Sequence, residues 1–313
     1  MKLWDRIEDT IKNIKSTLHG ALRMSELRYE TPATVEAAAA LLASAAGPAR
    51  VLAGGTDMLV QMRSGRVKPE LLVDVKHISE MTSLKQENGG WRVGAAVNCM
   101  ALVENKEFAA TWPGVIDGAN LVGSVQVRGR ATLGGNLCNA SPAADSVPAM
   151  IAAGAVASVV GPNGRREVPV EQINVGPGKT SLAKGELVAS FFLPSRPAHS
   201  GDAYLRFTPR SEMDIAVVGA GVNLTLDAQG VCTAARISLG AVAAQALFLP
   251  EAGKALVGTK VDEAALDALA ASASAAANPI DDKRGTKAFR IKVAGVLAKR
   301  AAIAALARAK GIN

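Results

Sequence analysis

Apolar positions recur every three to four residues at the start of the chain. Trp4, Ile7, Ile11, Ile14, Leu18 and Ala21 form a seam, with Lys, Asp, Arg and Glu in the gaps. That spacing predicts an amphipathic helix over residues 1–23. From Leu27 the pattern changes. Residues 34–46 are alanine-rich with Thr31 or Thr34 placed to cap them, which predicts a helix. Residues 50–53 and 71–75 are short apolar runs of strand type. Between them lie a Gly54-Gly55 turn and a helical stretch from Met58 that Gly65 ends. Residues 27–78 therefore predict a small parallel βαβ unit.

Residues 82–194 read differently. Strand-like runs at 91–95, 157–160 and 187–193 sit between Gly, Asn and Pro turns, with helices predicted near 100–108 and 144–154. The turn-rich PSRPAHSG at 194–201 marks a boundary. Beyond it come runs suited to antiparallel strands at 203–208, 217–226 and 234–239, then helix from Glu263 onward. The expected class is α+β, in three parts. An extension covers 1–24. A two-part domain covers 25–198, as a βαβ unit of about 25–80 and a mixed α/β unit of about 81–198. A C-terminal antiparallel sheet with helices covers 199–313.

Composition narrows the function. Apolar residues make up 49% of 313, enough for a sizeable core, and aromatics only 4%, so that core is built from small and branched aliphatic side chains. Cys99, Cys138 and Cys232 lie far apart. They form neither a metal-binding spacing nor a disulfide framework, which points to a reducing compartment and no iron–sulfur cluster in this chain. Cys138 reads as a small buried residue. The net charge is +7, but the Lys and Arg are scattered and lack stacking aromatics, which argues against nucleic acid. The densest basic stretch, 283–310, reads as a solvated helix face turned toward solvent or an acidic partner. No run reaches the roughly 18 apolar residues of a membrane span. The N-terminal seam suits packing on this subunit or a neighbour, or contact with a membrane surface. His19, His77 and His199 show no metal or triad spacing and read as non-catalytic.

The chemistry lies in two glycine-rich segments, AGGTD at 53–57 and VQVRGRATLGGNLCNASPAAD at 125–145. Glycine lets main chain approach a ligand closely, and successive N–H groups in such turns cradle anions. Neither segment has the GxGxxG dinucleotide fingerprint or the GK[ST] ending of a P-loop. Two separate Gly-Gly steps suggest one diphosphate held from two sides.

Together these segments closely resemble the FAD-binding medium subunit of the molybdenum hydroxylases, the type found in carbon-monoxide dehydrogenase and in the flavin domain of xanthine dehydrogenase. GELV leading to Pro194, Arg206-Phe207 with Asp214-Ile215-Ala216, ISLGAVAA at 237–244 and DKRGTKAFR at 282–290 extend the resemblance to the C-terminus. It implies that Ala53, Gly54, Gly55, Thr56 and Asp57, with Thr132, Leu133, Gly134, Gly135 and Asn136, wrap the FAD pyrophosphate. The amides around the four glycines would donate, helped by Thr56, Thr132 and Asn136 side chains. Asp145 matches an aspartate that contacts FAD, where a carboxylate suits a hydroxyl or amine; its other reading is the N-cap of the next helix. Val122 and Val188 fall where relatives place side chains against FAD. Arg206 stands where relatives usually carry Lys, which keeps a cation near reduced flavin but changes its shape. Tyr204 shares a strand face with Arg206; it reads as a core tyrosine, the alternative being a position bordering the flavin. Arg128 and Arg130 read as surface charges.

The implied role is electron transfer. A large molybdopterin subunit would oxidise substrate, and a small subunit with [2Fe–2S] clusters would pass electrons to FAD here. An external acceptor such as quinone, NAD or oxygen would receive them. The family expectation is a dimer of heterotrimers in the cytoplasm, membrane-associated if the N-terminal helix binds a surface. Two other classes stay open: a stand-alone flavin dehydrogenase or oxidase, and an assembly subunit without FAD.

Overall fold

The computed structural model describes residues 27–211 and 213–312. The seam from Trp4 to Ala21, and the surface or assembly contact drawn from it, lie outside the described residues. The chain is a mixed α/β protein whose first sheet is parallel and whose other sheets are antiparallel.

The parallel sheet sets β1 (Arg28–Glu30) and β2 (Ala49–Leu52) on either side of β3 (Leu71–Asp74). α1 (Val35–Ser44) connects β1 to β2, and α2 (Met58–Arg63) connects β2 to β3. Thr34 Oγ1 accepts from Ala37 N–H and starts α1. Val35, Ala38, Ala39 and Leu42 then turn one stripe inward. α3 (Ser79–Thr82) leads to the next sheet.

That sheet is built from β4 (Leu84–Glu87) and β5 (Gly90–Gly94), then, after a run of helices, β6 (Val156–Gly161) and β7 (Gly164–Pro169). A small hairpin of β8 (Asn174–Gly176) and β9 (Lys179–Thr180) precedes its central strand, β10 (Leu187–Leu193). The strand order is β4-β5-β10-β6-β7. The helices between β5 and β6 are α4 (Cys99–Glu104), α5 (Lys106–Thr111), α6 (Pro113–Asn120), α7 (Val125–Arg128), α8 (Leu133–Cys138) and α9 (Ser146–Ala152). The single helix expected over 100–108 is two, and Asn105 is the reason. Its N–H donates to Ala101 O and ends α4, while its side chain accepts from Phe108 N–H and starts α5. One hydrophobic core runs through both of these sheets and their helices.

The last unit is a meander of β11 (Ser200–Phe207), β12 (Val218–Leu226), β13 (Cys232–Gly240) and β14 (Leu247–Phe248). α10 (Pro250–Lys254), α11 (Glu263–Ala276) and α12 (Lys287–Ala309) follow, the last two separated by a non-helical stretch at 277–286. α12 lies across β11 and β12. Its buried stripe is Ala294, Gly295, Ala298, Ala301, Ala302, Ala305 and Ala309, with Leu297 beside it. Such small side chains bring helix and sheet backbones almost into contact. A Cβ at Gly201 of β11 would lie 2.0 Å from Ala305 O. The low aromatic content is thus a packing solution.

Replacing Gly201 with Ala forces α12 away from β11. We expect a loss of about 1–3 kcal/mol, the usual cost of overpacking, seen as a lower melting temperature. Gly129→Ala, whose Cβ meets nothing nearer than Gln126 O at 3.6 Å, should leave the melt unchanged.

Candidate functional site

The two glycine-rich segments meet. The first is the turn from β2 into α2, where Gly55 has φ +78. The N–H groups of Gly54, Gly55, Thr56 and Asp57 have no acceptor among the described residues. The second is the entry to α8. Thr132 Oγ1 accepts from Gly135 N–H at 2.9 Å and caps the helix. Gly134 N–H donates to Ala95 O at 3.2 Å, and Asn136 N–H to Thr132 O at 2.9 Å. The four glycine amides are therefore not equivalent, contrary to the expectation that all donate outward. Those of Gly54 and Gly55 are free, whereas those of Gly134 and Gly135 are engaged within the chain.

Close backbone packing explains two of the glycines. A Cβ on Gly54 would stand 2.0 Å from Arg130 O, and one on Gly134 2.5 Å from Ala95 O. Gly55 supplies the left-handed turn. Gly135 lies on the open side, where a Cβ would meet only Thr132 Oγ1, at 3.0 Å. Two side-chain ties reinforce the joint. Arg130 Nε donates to Gly54 O at 3.1 Å, and Gln61 Nε2 donates to Asn139 Oδ1 at 2.9 Å. Arg130 is therefore a loop-to-loop tie, which its reading as a surface charge missed. Cys138 is exposed, not buried, because it falls on the outer side of the last turn of α8. Thr56 is half-buried and Asp57 exposed. Leu133 and Val188 are in the core, at 0% and 4% exposure, while Val122 is half-buried at its edge.

Asp145 begins α9 but its side chain makes no capping hydrogen bond. Asn136 Oδ1 does that work instead, accepting from Ser146 N–H at 3.2 Å and from its hydroxyl at 2.7 Å. Asp145 is left to face the last sheet. Tyr204 Oη donates to its Oδ1 at 2.9 Å, and Arg206 Nη1 to its Oδ2 at 2.7 Å. Arg206 also donates to Leu121 O at 2.9 Å, beside Val122. Its side chain is buried, so it is an ion-pair partner and not an exposed cation. Burial pushes the Asp145 carboxyl up to about 6, against the pull of Arg206 and Tyr204. Tyr204 is raised well above its ordinary value by burial and by the neighbouring Asp145.

A second buried cluster fixes the register of β11. Asp202 accepts from Gly114 N–H at the start of α6 and from Arg196 Nη1, both at 2.8 Å. The Arg196 guanidinium lies 4.9 Å over the Trp112 ring. Asp117 accepts from Tyr204 N–H at 3.1 Å and from Arg308 Nη1 at 2.6 Å. Burial raises the Asp202 carboxyl to about 6, opposed by Arg196 and Arg308. Among the described residues no three His, Cys, Asp or Glu come together as a metal site. No described helix is long and apolar enough to cross a membrane.

Residues 24–196 match the FAD binding domain in molybdopterin dehydrogenase, and residues 203–305 the CO dehydrogenase flavoprotein C-terminal domain. The chain is 36% identical to the carbon monoxide dehydrogenase medium chain of Afipia carboxidovorans, covering 90% of this chain and 97% of that one. It is 30% identical to the xanthine dehydrogenase FAD-binding subunit of Escherichia coli O157:H7, over 90% and 97% of the two chains. A crystal structure of Cu,Mo-CO dehydrogenase matches with a TM-score of 0.86 at 35% identity, covering 90% of this chain and 98% of that one. The chain belongs to the FAD-binding subunit family of the molybdopterin-dependent dehydrogenases.

The residues present fit that cofactor. Four adjacent free amides suit a diphosphate, which needs several donors when partly buried. Asn136 Nδ2 has no acceptor among the described residues. Asp145 retains acceptor capacity beyond its two bonds.

Gly54→Ala should part the two loops, because its methyl collides with Arg130 O. We expect FAD affinity to fall about tenfold or more, roughly 1.4 kcal/mol per decade, with little change in circular dichroism. Flavin fluorescence titration reads it directly.

Asp202 gives a pH test. Its folded value lies above its ordinary value of 3.8. Its contribution to stability is thus full below about pH 4, is lost as pH rises through about 6, and stays flat above. The stability of the protein relative to Asp202→Asn should decline across that window by on the order of 3 kcal/mol. Denaturant melts at pH 4, 5, 6 and 7 measure the difference.

Proposed function

We propose that this chain is the electron-transfer flavoprotein subunit of a molybdenum hydroxylase. It takes electrons from [2Fe–2S] clusters of a small partner subunit and delivers them to an external acceptor such as quinone, NAD or oxygen. A large molybdopterin subunit carries out substrate oxidation. The observation that carries this reading is the locked pair of glycine loops, one with free amides, with Asn136 of the second loop bonded to Ser146, the neighbour of Asp145. The extent of the match supports it, since the relatives are covered almost end to end.

FAD, when bound, supplies redox chemistry by accepting and releasing electrons singly or in pairs. The chain's own residues bind and orient it. Gly54 to Asp57 donate amides to the pyrophosphate. Thr132 to Asn136 form the facing wall. Val122 and Val188 limit the space beside the rings, Asp145 accepts from a hydroxyl or amine, and Arg206 holds positive charge close by. On this reading the FAD-binding domain spans 25–198 and the C-terminal flavoprotein domain 199–313. The assembly is a dimer of heterotrimers in the cytoplasm. Relatives named for carbon monoxide and for xanthine share this subunit type, so the substrate resides in the large subunit's identity.

The test is an absorption spectrum of the natively purified protein with its partners, followed by cofactor release and metal analysis. Flavin bands, releasable FAD, iron and molybdenum in a three-subunit complex are expected. FAD in an isolated chain that substrate itself reduces would replace this reading with a stand-alone flavoenzyme. An intact complex without flavin would leave an assembly role.

A further inference from the structure

We propose that Tyr204 is a positioning residue of the flavin site, aiming and charging Asp145 through its phenolic hydrogen bond. The proposal rests on the FAD-subunit reading and extends it to a residue outside both glycine loops.

The geometry is specific. Asp145 stands at the N-cap position of α9, but its two hydrogen-bond donors, Tyr204 and Arg206, both come from β11. They are two residues apart, so the strand points both side chains to one face. Arg206 divides its Nη1 among Asp145 Oδ2, Leu121 O and, more distantly, Asp214 O. Among the described residues Tyr204 has a single partner for its hydroxyl. The ring is fully enclosed, at 2% exposure. The structure also reserves a place for that hydroxyl. On β12, Gly219, the cross-strand partner of Arg206, lies diagonally across from Tyr204, and a Cβ there would lie 2.4 Å from Tyr204 Oη. A core tyrosine kept only for bulk would not need its oxygen aimed at a buried carboxylate.

The donor acts on charge as well as direction. A phenol O–H bonded to a carboxylate favours the ionised form, the form that accepts from a cofactor hydroxyl or amine. Burial works the other way and holds the carboxyl at about 6. Other charged groups on the elements around α9 are engaged elsewhere. Asp117 of α6 is held by Arg308, and Arg236 of β13 bonds Ile151 O and Glu171. Asp214, in the loop after β11, pairs with Arg284 and Arg210. β12 and β14 bring no ionisable side chain. Tyr204 and Arg206 therefore set the state of Asp145 between them.

The experiment uses the full chain and titrates FAD by flavin fluorescence from pH 5 to 8. The wild-type dissociation constant should be flat at high pH and rise about tenfold per unit below the Asp145 midpoint, as expected when one ionised group is required. Tyr204→Phe keeps the ring and removes the donor, so the bend should move up by about one pH unit. Gly219→Ala displaces the hydroxyl from the other side and should give the same upward shift. Asp145→Asn should bind weakly with no bend. A bend that stays in its wild-type position in both Tyr204→Phe and Gly219→Ala overturns the proposal. So does a loss of affinity that is equal at every pH, the result of a merely structural role. A wild-type chain that binds no FAD at any pH would instead sink the functional reading, and this inference with it.

Discussion

The structure around the site depends on one contact, the backbone of Gly54 laid against the backbone of Arg130 and Ala131. No side chain fits there. That contact joins a parallel βαβ unit to a helical segment that starts after the antiparallel sheet has begun. It brings two turns distant in sequence side by side. Arg130 and Gln61 then add hydrogen bonds across the same joint. Their contribution is modest compared with the packing, since a typical hydrogen bond nets only about 1 kcal/mol.

A second constraint follows from a division of labour between two polar residues. Asn136 caps α9, the task the sequence offers to Asp145. With the cap supplied, the Asp145 carboxylate is released toward β11. β11 is itself registered by Asp202 and Asp117 against α6, and by Arg308 from the C-terminal helix. The candidate site therefore draws on the last unit of the chain, although both glycine loops precede it. Two buried aspartates that burial raises to about 6 mark this seam between the sheets. They accept the cost of desolvation because each is met by an arginine and by a further donor.

Much of this was legible in the sequence, and the part that was not has identifiable causes. The parallel unit is clear because α1 carries a full apolar stripe and an N-cap, and β3 is a continuous buried run. The meander after Pro194 is equally clear, because long strand-type runs follow a turn-rich boundary. The helices α4 to α8 were merged or missed because each spans four to eight residues, too short to display a period. β4 and β7 were missed because half-exposed, charged runs such as LKQE and GRREVP carry little apolar signal. Gly-Gly steps announced the loops, yet not which amides were free, since that depends on Ala95 O and the Thr132 side chain. Nor does any local pattern reveal that Arg130 reaches Gly54, or that Tyr204 reaches Asp145 across 59 positions.

The unequal use of the loop amides has a consequence for how a ligand is captured. The entry to α8 has the backbone amides of Gly134, Gly135 and Asn136 already bonded, so its main chain behaves as a preformed template and reorganises little. The turn after β2 has donors that water must satisfy until a ligand replaces it. Dehydration of backbone donors on binding falls on that one turn. Capture is thus a lopsided event, in which a hydrated jaw closes its solvent account against a rigid anvil. Cofactor residence time in this chain should then depend on the turn bearing AGGTD before it depends on the longer and more conspicuous segment.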